Sequence, residues 1–143
     1  MKHKFSGAIL AIAFTMVFSA NTFAQKTVAH IYKDAPITQA EKTATFQVVF
    51  DNIDNDQEKS EFAAKLKECK QILAISASEI SDKKVTYTVT MPKENIFFNF
   101  QGALEKSNVE NAEFYGTAVP TERFGQFAQA EYNKNKKEKR NPK

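Results

Sequence analysis

The chain reads as a single α+β domain in which two amphipathic helices cover one side of an antiparallel sheet. Three observations predict this. Val85 to Met91 alternates apolar side chains with threonines, the period of a strand with one wet face. Phe62, Leu66, Cys69 and Leu73 recur at spacings of four, three and four, which places them on one stripe of a helix. Ile96, Phe97, Phe100, Ala103 and Leu104 mark the inner side of a second helix.

Ahead of that domain the sequence predicts a removable export signal. Lys2, His3 and Lys4 precede an apolar stretch from Ala8 to Phe18, and the small and polar run Ser19 to Ala24 follows it. This is the three-part layout of a Sec signal peptide. Its apolar core falls short of the roughly 20 residues that a membrane span needs. Cleavage is expected after Ala24, with Ala20 as the rival site, so residues 1–24 are the signal and the mature chain begins at Gln25. An uncleaved N-terminal anchor is the competing reading. No cysteine stands after the cut to carry a lipid, so the expected destination is the periplasm or the medium.

Removing 24 residues from 143 leaves 119, enough for one core. Cys69 is the single cysteine, so no intramolecular disulfide can form and packing alone must hold the domain. The formal charge of +3 is unevenly spread. Lys2 and Lys4 supply +2 and residues 134–143 a net +5, which leaves about −4 on residues 25–133. An acidic body with a basic tail disfavours general nucleic-acid binding.

Along the mature chain, residues 25–42 read as an extended lead-in with one short strand at Val28 to Tyr32. Thr43 to Phe50 has the alternation of a half-buried strand, with Phe46, Val48 and Phe50 on one face. The Asx-rich loop Asp51 to Asp56 suits a turn and a helix N-cap. A first helix is expected from Gln57 to about Lys70, then a strand over Ile72 to Ile80, a turn at Ser81 to Lys84, and the threonine strand. Pro92 ends that strand and the second helix runs from Lys93 to Lys106. A short strand is expected at Glu113 to Val119. Thr121 is expected to cap a last amphipathic helix bearing Phe124, Phe127 and Ala128.

The order strand, helix, strand, strand, helix, strand predicts a ferredoxin-like βαββαβ sandwich, with two helices on one face of a four-stranded antiparallel sheet and a short C-terminal helix added. The expected organisation is a signal peptide at 1–24, the lead-in at 25–42, the folded domain at 43–132 and a basic disordered tail at 133–143.

The spacing from Phe46 to Phe114 resembles the heavy-metal-associated domain of copper chaperones and metal-pumping ATPases. Phe62 and Leu66 match the two apolar helix positions, Ile72 and Ile75 the second strand, and Val85, Tyr87 and Val89 the third. Pro92, Lys93 and Glu94 resemble the lead into the family's second helix. In that family the first loop carries a methionine and a Cys-x-x-Cys pair, which the resemblance implies as the metal site. Here Ile53 falls at the methionine, and Asn55 and Glu58 fall where the cysteines belong. An amide and a carboxylate are hard ligands, poorly suited to Cu(I). Cys69 lies on the buried stripe of the first helix, where a thiol behaves as a small hydrophobe.

Other constellations are weaker still. Counting from Asn52, the acidic loop puts Asp54 and Asp56 at calcium-ligand positions, but Gln57 stands where an EF-hand needs glycine and Ala63 where it needs glutamate. His30 is the single histidine of the mature chain and reads as a surface residue on an extended segment. No triad, multi-histidine zinc pattern or glycine-rich phosphate loop is present.

The sequence therefore predicts an exported, non-catalytic interaction module with no assignable catalytic, cofactor-binding or metal residues and no cofactor. Its partner is another protein or an envelope component rather than nucleic acid, with a membrane surface reachable through the basic tail. A metal-handling protein using some of Asn55, Glu58, Cys69, His30 and Met91 is the alternative, followed by an enzyme of unrecognised type.

Overall fold

The computed structural model describes residues 28–140; the expected signal segment 1–24, residues 25–27 and residues 141–143 lie outside them. The elements are β1 (Val28–Ile31), β2 (Thr38–Gln39), β3 (Thr43–Phe50), α1 (Asp56–Lys67), β4 (Ala74–Ala77), β5 (Val85–Pro92), α2 (Ile96–Lys106), β6 (Asn111–Phe114), β7 (Thr117–Pro120) and α3 (Phe124–Arg140), which follows a 3₁₀ turn at Thr121–Arg123.

Among the described residues the fold is mixed α/β, with one sheet of seven strands and three helices. Strand order is β4-β5-β3-β1-β6-β7, with β2 also paired to β3. The two long strands β3 and β5 pair antiparallel from Thr43 opposite Pro92 to Phe50 opposite Val85. The sheet departs from the expected four antiparallel strands in two ways. It has three more strands, and β1 runs parallel to β6, with His30 opposite Glu113 and Ile31 opposite Phe114.

Part of the difference lies in the lead-in. Ala29 pairs with Phe50 and Gln39 with Ala44, so ten steps along the lead-in face six along β3. β1 and β2 are thus one strand interrupted by a bulge at residues 32–37. Alternation lets β1 occupy the sheet interior, because Ala29 and Ile31 are buried on the same side as Phe46 and Phe50.

The rest lies after α2. The strand expected over Glu113 to Val119 is a hairpin whose two-residue loop, Tyr115 and Gly116, has positive φ at both positions (53° and 88°). That is the conformation of a tight turn matched to strand twist, and glycine adopts it without a steric penalty.

One face of the sheet carries the core. Phe46, Val48, Phe50, Val85, Tyr87, Val89, Met91, Ala112 and Phe114 are all buried, whereas the alternate residues of the long strands are not. Phe50 meets Phe62 of α1 edge-on at 4.5 Å, Phe46 meets Phe100 of α2 at 4.9 Å, and Phe114 meets Phe124 of α3 at 6.1 Å. Such tilted ring pairs add to what burial contributes. The Tyr87 hydroxyl donates to the Lys59 carbonyl at 2.8 Å, which fastens α1 to the central strand.

Local sequence explains the helix boundaries. α1 stops at Lys67, three residues short of the expected end; the turn that follows buries Cys69 and Ile72 and throws Leu73 out to solvent at 57% exposure. Leu73 is therefore not on the buried stripe. α2 starts at Ile96 rather than Lys93, because Asn95 takes a left-handed conformation (φ 55°) that no helix interior contains. All five residues expected on its inner side are buried.

Thr121 does not cap α3. Its hydroxyl donates to the Val109 carbonyl, and the first turn of α3 is served by Gln101 of α2, whose Oε1 accepts from Gly125 N–H at 2.8 Å. Gly125 permits this close approach, since a Cβ there would lie 2.8 Å from the Phe98 ring and 3.0 Å from its Cα. α3 also runs on through the segment expected to be a disordered tail, as far as Arg140. Buried Asn135 and the packing of Tyr132 on Phe97 at 5.5 Å hold that continuation to the body.

Candidate functional site

With its helices on one side, the sheet leaves the other side open. Alternate residues of adjacent strands emerge there: Thr45 and Gln47 from β3, Thr86, Thr88 and Thr90 from β5, and His30 from β1. In register, Thr45 lies opposite Thr90, Gln47 opposite Thr88 and Val49 opposite both Thr86 and His30. The Thr45 and Thr90 hydroxyls share a hydrogen bond of 2.9 Å. This face is polar, small in its side chains and nearly free of charge at its centre.

Toward β6 the face gains charge. His30 Nε2 stands 3.0 Å from Asp51 Oδ2, and its Nδ1 stands 3.4 Å from Glu113 Oε2. The imidazole is 16% exposed and stacks on Tyr32 at 5.9 Å with the rings nearly parallel. Asp51 also accepts from the Val28 N–H at 3.2 Å, so one carboxylate aligns both the start of β1 and the ring two residues on. The Glu113 contact is long for a hydrogen bond and leaves Nδ1 buried without one.

Sequence reasoning placed His30 on a surface segment and missed this cluster. Its three members come from positions 30, 51 and 113, and the parallel pairing of β1 with β6 is what brings the third to the first. The local signal available was the alternation Ala29, Ile31, which turns His30 to the opposite face.

The residues proposed as metal ligands are not assembled. The Asn55 side chain accepts from Glu58 N–H at 2.9 Å, and Glu58 Oε2 accepts from Asp54 N–H at 2.9 Å. That reciprocal arrangement is a close variant of a capping box, so Asn55 and Glu58 hold the start of α1 together. Ile53, expected beside the metal loop, is fully buried. Cys69 is buried, its thiol directed at the Asn99 carbonyl at 3.8 Å, and Met91 lies on the helix-covered face, opposite the one His30 occupies.

The acidic loop disperses as well. Asp54 pairs with Lys83 at 3.7 Å, Asp56 with Lys59 at 3.6 Å and Asp51 with His30. Among the described residues no three His, Cys, Asp or Glu side chains converge as metal ligands.

A second polar feature is a recess of about 100 Å³ between the bulge and α3, lined by Lys33, Tyr115, Glu131, Lys134, Asn135 and Glu138. Burial pushes the Tyr115 phenol above the usual tyrosine range. The neighbouring Tyr132 adds to that, while a hydrogen bond with Asn135 opposes it. With two lysines and two glutamates on its walls, the recess has no dominant charge. Among the described residues, no helix is long and apolar enough to cross a membrane.

No protein-family model, curated protein or solved structure matches this chain.

Proposed function

We propose that the chain is an exported, non-catalytic binding module that recognises another protein or an envelope component through the open face of its sheet. The carrying observation is the asymmetry of that sheet. Three helices cover one side, and the other offers Thr45, Gln47, Thr86, Thr88 and His30 from three neighbouring strands. Short hydroxyl and amide side chains on a flat surface supply donors and acceptors with little rotamer entropy to lose on contact.

The chemistry of the charged cluster supports binding over catalysis. His30 Nε2 is engaged by Asp51 and Nδ1 is buried beside Glu113, so the ring joins strands and presents no open nitrogen to a substrate. A metal-handling role loses its one soft thiolate, because Cys69 is packed inside beside Asn99.

In this reading the succession β3-α1-β4-β5-α2-β6 is a ferredoxin-like unit, and β1 is a strand set between β3 and β6. Two features support it: the order β4-β5-β3, and the opposite directions of β3 and β6, each paired to β1. The likeness to heavy-metal-associated domains is then one of apolar spacing, with the loop given over to helix capping.

Capture from envelope extracts tests the reading, using the mature chain beside a Gln47→Arg, Thr88→Arg variant that alters neighbouring positions of the open face. The expected outcome is a defined partner retained by the wild type and lost by the variant. Retention of the same partner by both rejects the face. Calorimetric titration with Cu(I) and Zn(II) provides the second arm, and tight uptake that disappears in Cys69→Ser would reject the binding-module reading in favour of metal handling.

A further inference from the structure

A separate surface lies at the far end of α3. Asn133, Lys136, Lys137 and Arg140 stand at i, i+3, i+4 and i+7, one face of the helix, and border an open depression of about 250 Å³. The stripe spans about 10 Å of helix. The acidic residues of this stretch, Glu131 and Glu138, line the other recess with Lys33 and Tyr115, so no carboxylate interrupts the cations.

Helix stability alone does not account for this arrangement. Cations favour a helix C-terminus only within about the last turn. Lys134 and Lys136 stand before that turn, and Lys136 is instead held over the Tyr132 ring at 5.5 Å. The charge is also polarised across the molecule, since residues 25–133 carry about −4 and residues 134–143 a net +5. An anionic surface therefore attracts the end of α3 and repels the body.

We infer that the Lys136, Lys137 and Arg140 face of α3 docks the protein on the anionic headgroups of a lipid bilayer. A bilayer suits the geometry because its charged lipids move laterally and can gather beneath a short cationic patch, while the acidic body stays clear of the plane. A long nucleic acid polyanion would have to run past that acidic body. The export signal read from residues 1–24 also delivers the chain to a membrane-bounded compartment. This docking is independent of the open-face reading, because it uses residues of α3 alone.

Co-sedimentation with vesicles tests it, using the mature chain and vesicles containing about a third phosphatidylglycerol in phosphatidylcholine, beside phosphatidylcholine alone. Each basic residue near such a surface is worth about fivefold in partitioning, so Lys136→Gln, Lys137→Gln, Arg140→Gln together should lower binding about a hundredfold. The same substitutions at Lys65, Lys67 and Lys70, on and just after α1, should leave it within about twofold. Raising salt from roughly 0.1 to 0.5 M should release the wild type, a readout that needs no variant to fold. Equal binding to both vesicle types, retention by the α3 variant, persistence at high salt, or tighter binding of a duplex DNA oligomer than of the vesicles would each overturn the assignment.

Discussion

The two faces of the sheet obey different physics. On the covered face Phe46, Phe50, Tyr87 and Phe114 meet rings from three helices, and every side chain is locked by neighbours from other elements. On the open face Thr86, Thr88 and Gln47 are half-buried or exposed. A change on the covered face should therefore register as lost stability, and one on the open face mainly as lost recognition. The His30 cluster is intermediate, since it lies on the open side yet ties three strands together.

Substitutions of graded severity can break or sharpen that contrast. The largest effect is expected for Phe100→Ala, which empties a fully buried site between Phe46 and Phe124. Urea unfolding should show a loss of about 3–5 kcal/mol. A loss under about 1 kcal/mol would mean the covered face is no tighter than the open one.

Asp51→Ala should cost about 1–2 kcal/mol, because it removes the acceptor of both Val28 N–H and His30. Hydrogen exchange should speed up at the Val28 amide more than at amides of β5.

Tyr87→Phe should cost about 1 kcal/mol through the lost bond to Lys59. It should also change the alkaline limb of stability. Burial holds the Tyr87 phenol well above its ordinary value, so above pH ~10 the unfolded chain sheds that proton while the folded chain keeps it. The unfolded state then binds fewer protons, and stability falls as pH rises. Unfolding followed from pH 9 upward should be less steep in the phenylalanine variant, by up to about 1.4 kcal/mol per pH unit.

The smallest effect is expected for Thr88→Val, within about 0.5 kcal/mol by thermal melting. A larger loss would show that the open face contributes to the fold itself.

Legibility followed how local each signal was. The alternation in β3 and β5 and the inner side of α2 could be read directly, because the apolar period states which side chains turn inward. Leu73 misled for the same reason, since it continued a helical spacing after the helix had ended at Lys67. The hairpin at Tyr115 and Gly116 carried a usable sign in its glycine, but four-residue strands are too short for alternation to separate two from one. The helical tail gave less warning, since lysines suit a solvated helix as well as a disordered end. The contacts of Tyr132 and Asn135 are what favour the helix.

Taken alone, the sequence determined the inward faces of β3, β5 and α2 and the approximate places of α1 and α2. These depend on side chains near one another in the chain. Only the tertiary structure decided that β1 lies between β3 and β6, that His30 meets Asp51 and Glu113, and that the basic end of α3 is a shaped stripe. Strand order and clusters drawn from distant positions depend on pairing between segments whose local patterns would accept several neighbours, so the choice is made only when the whole core closes.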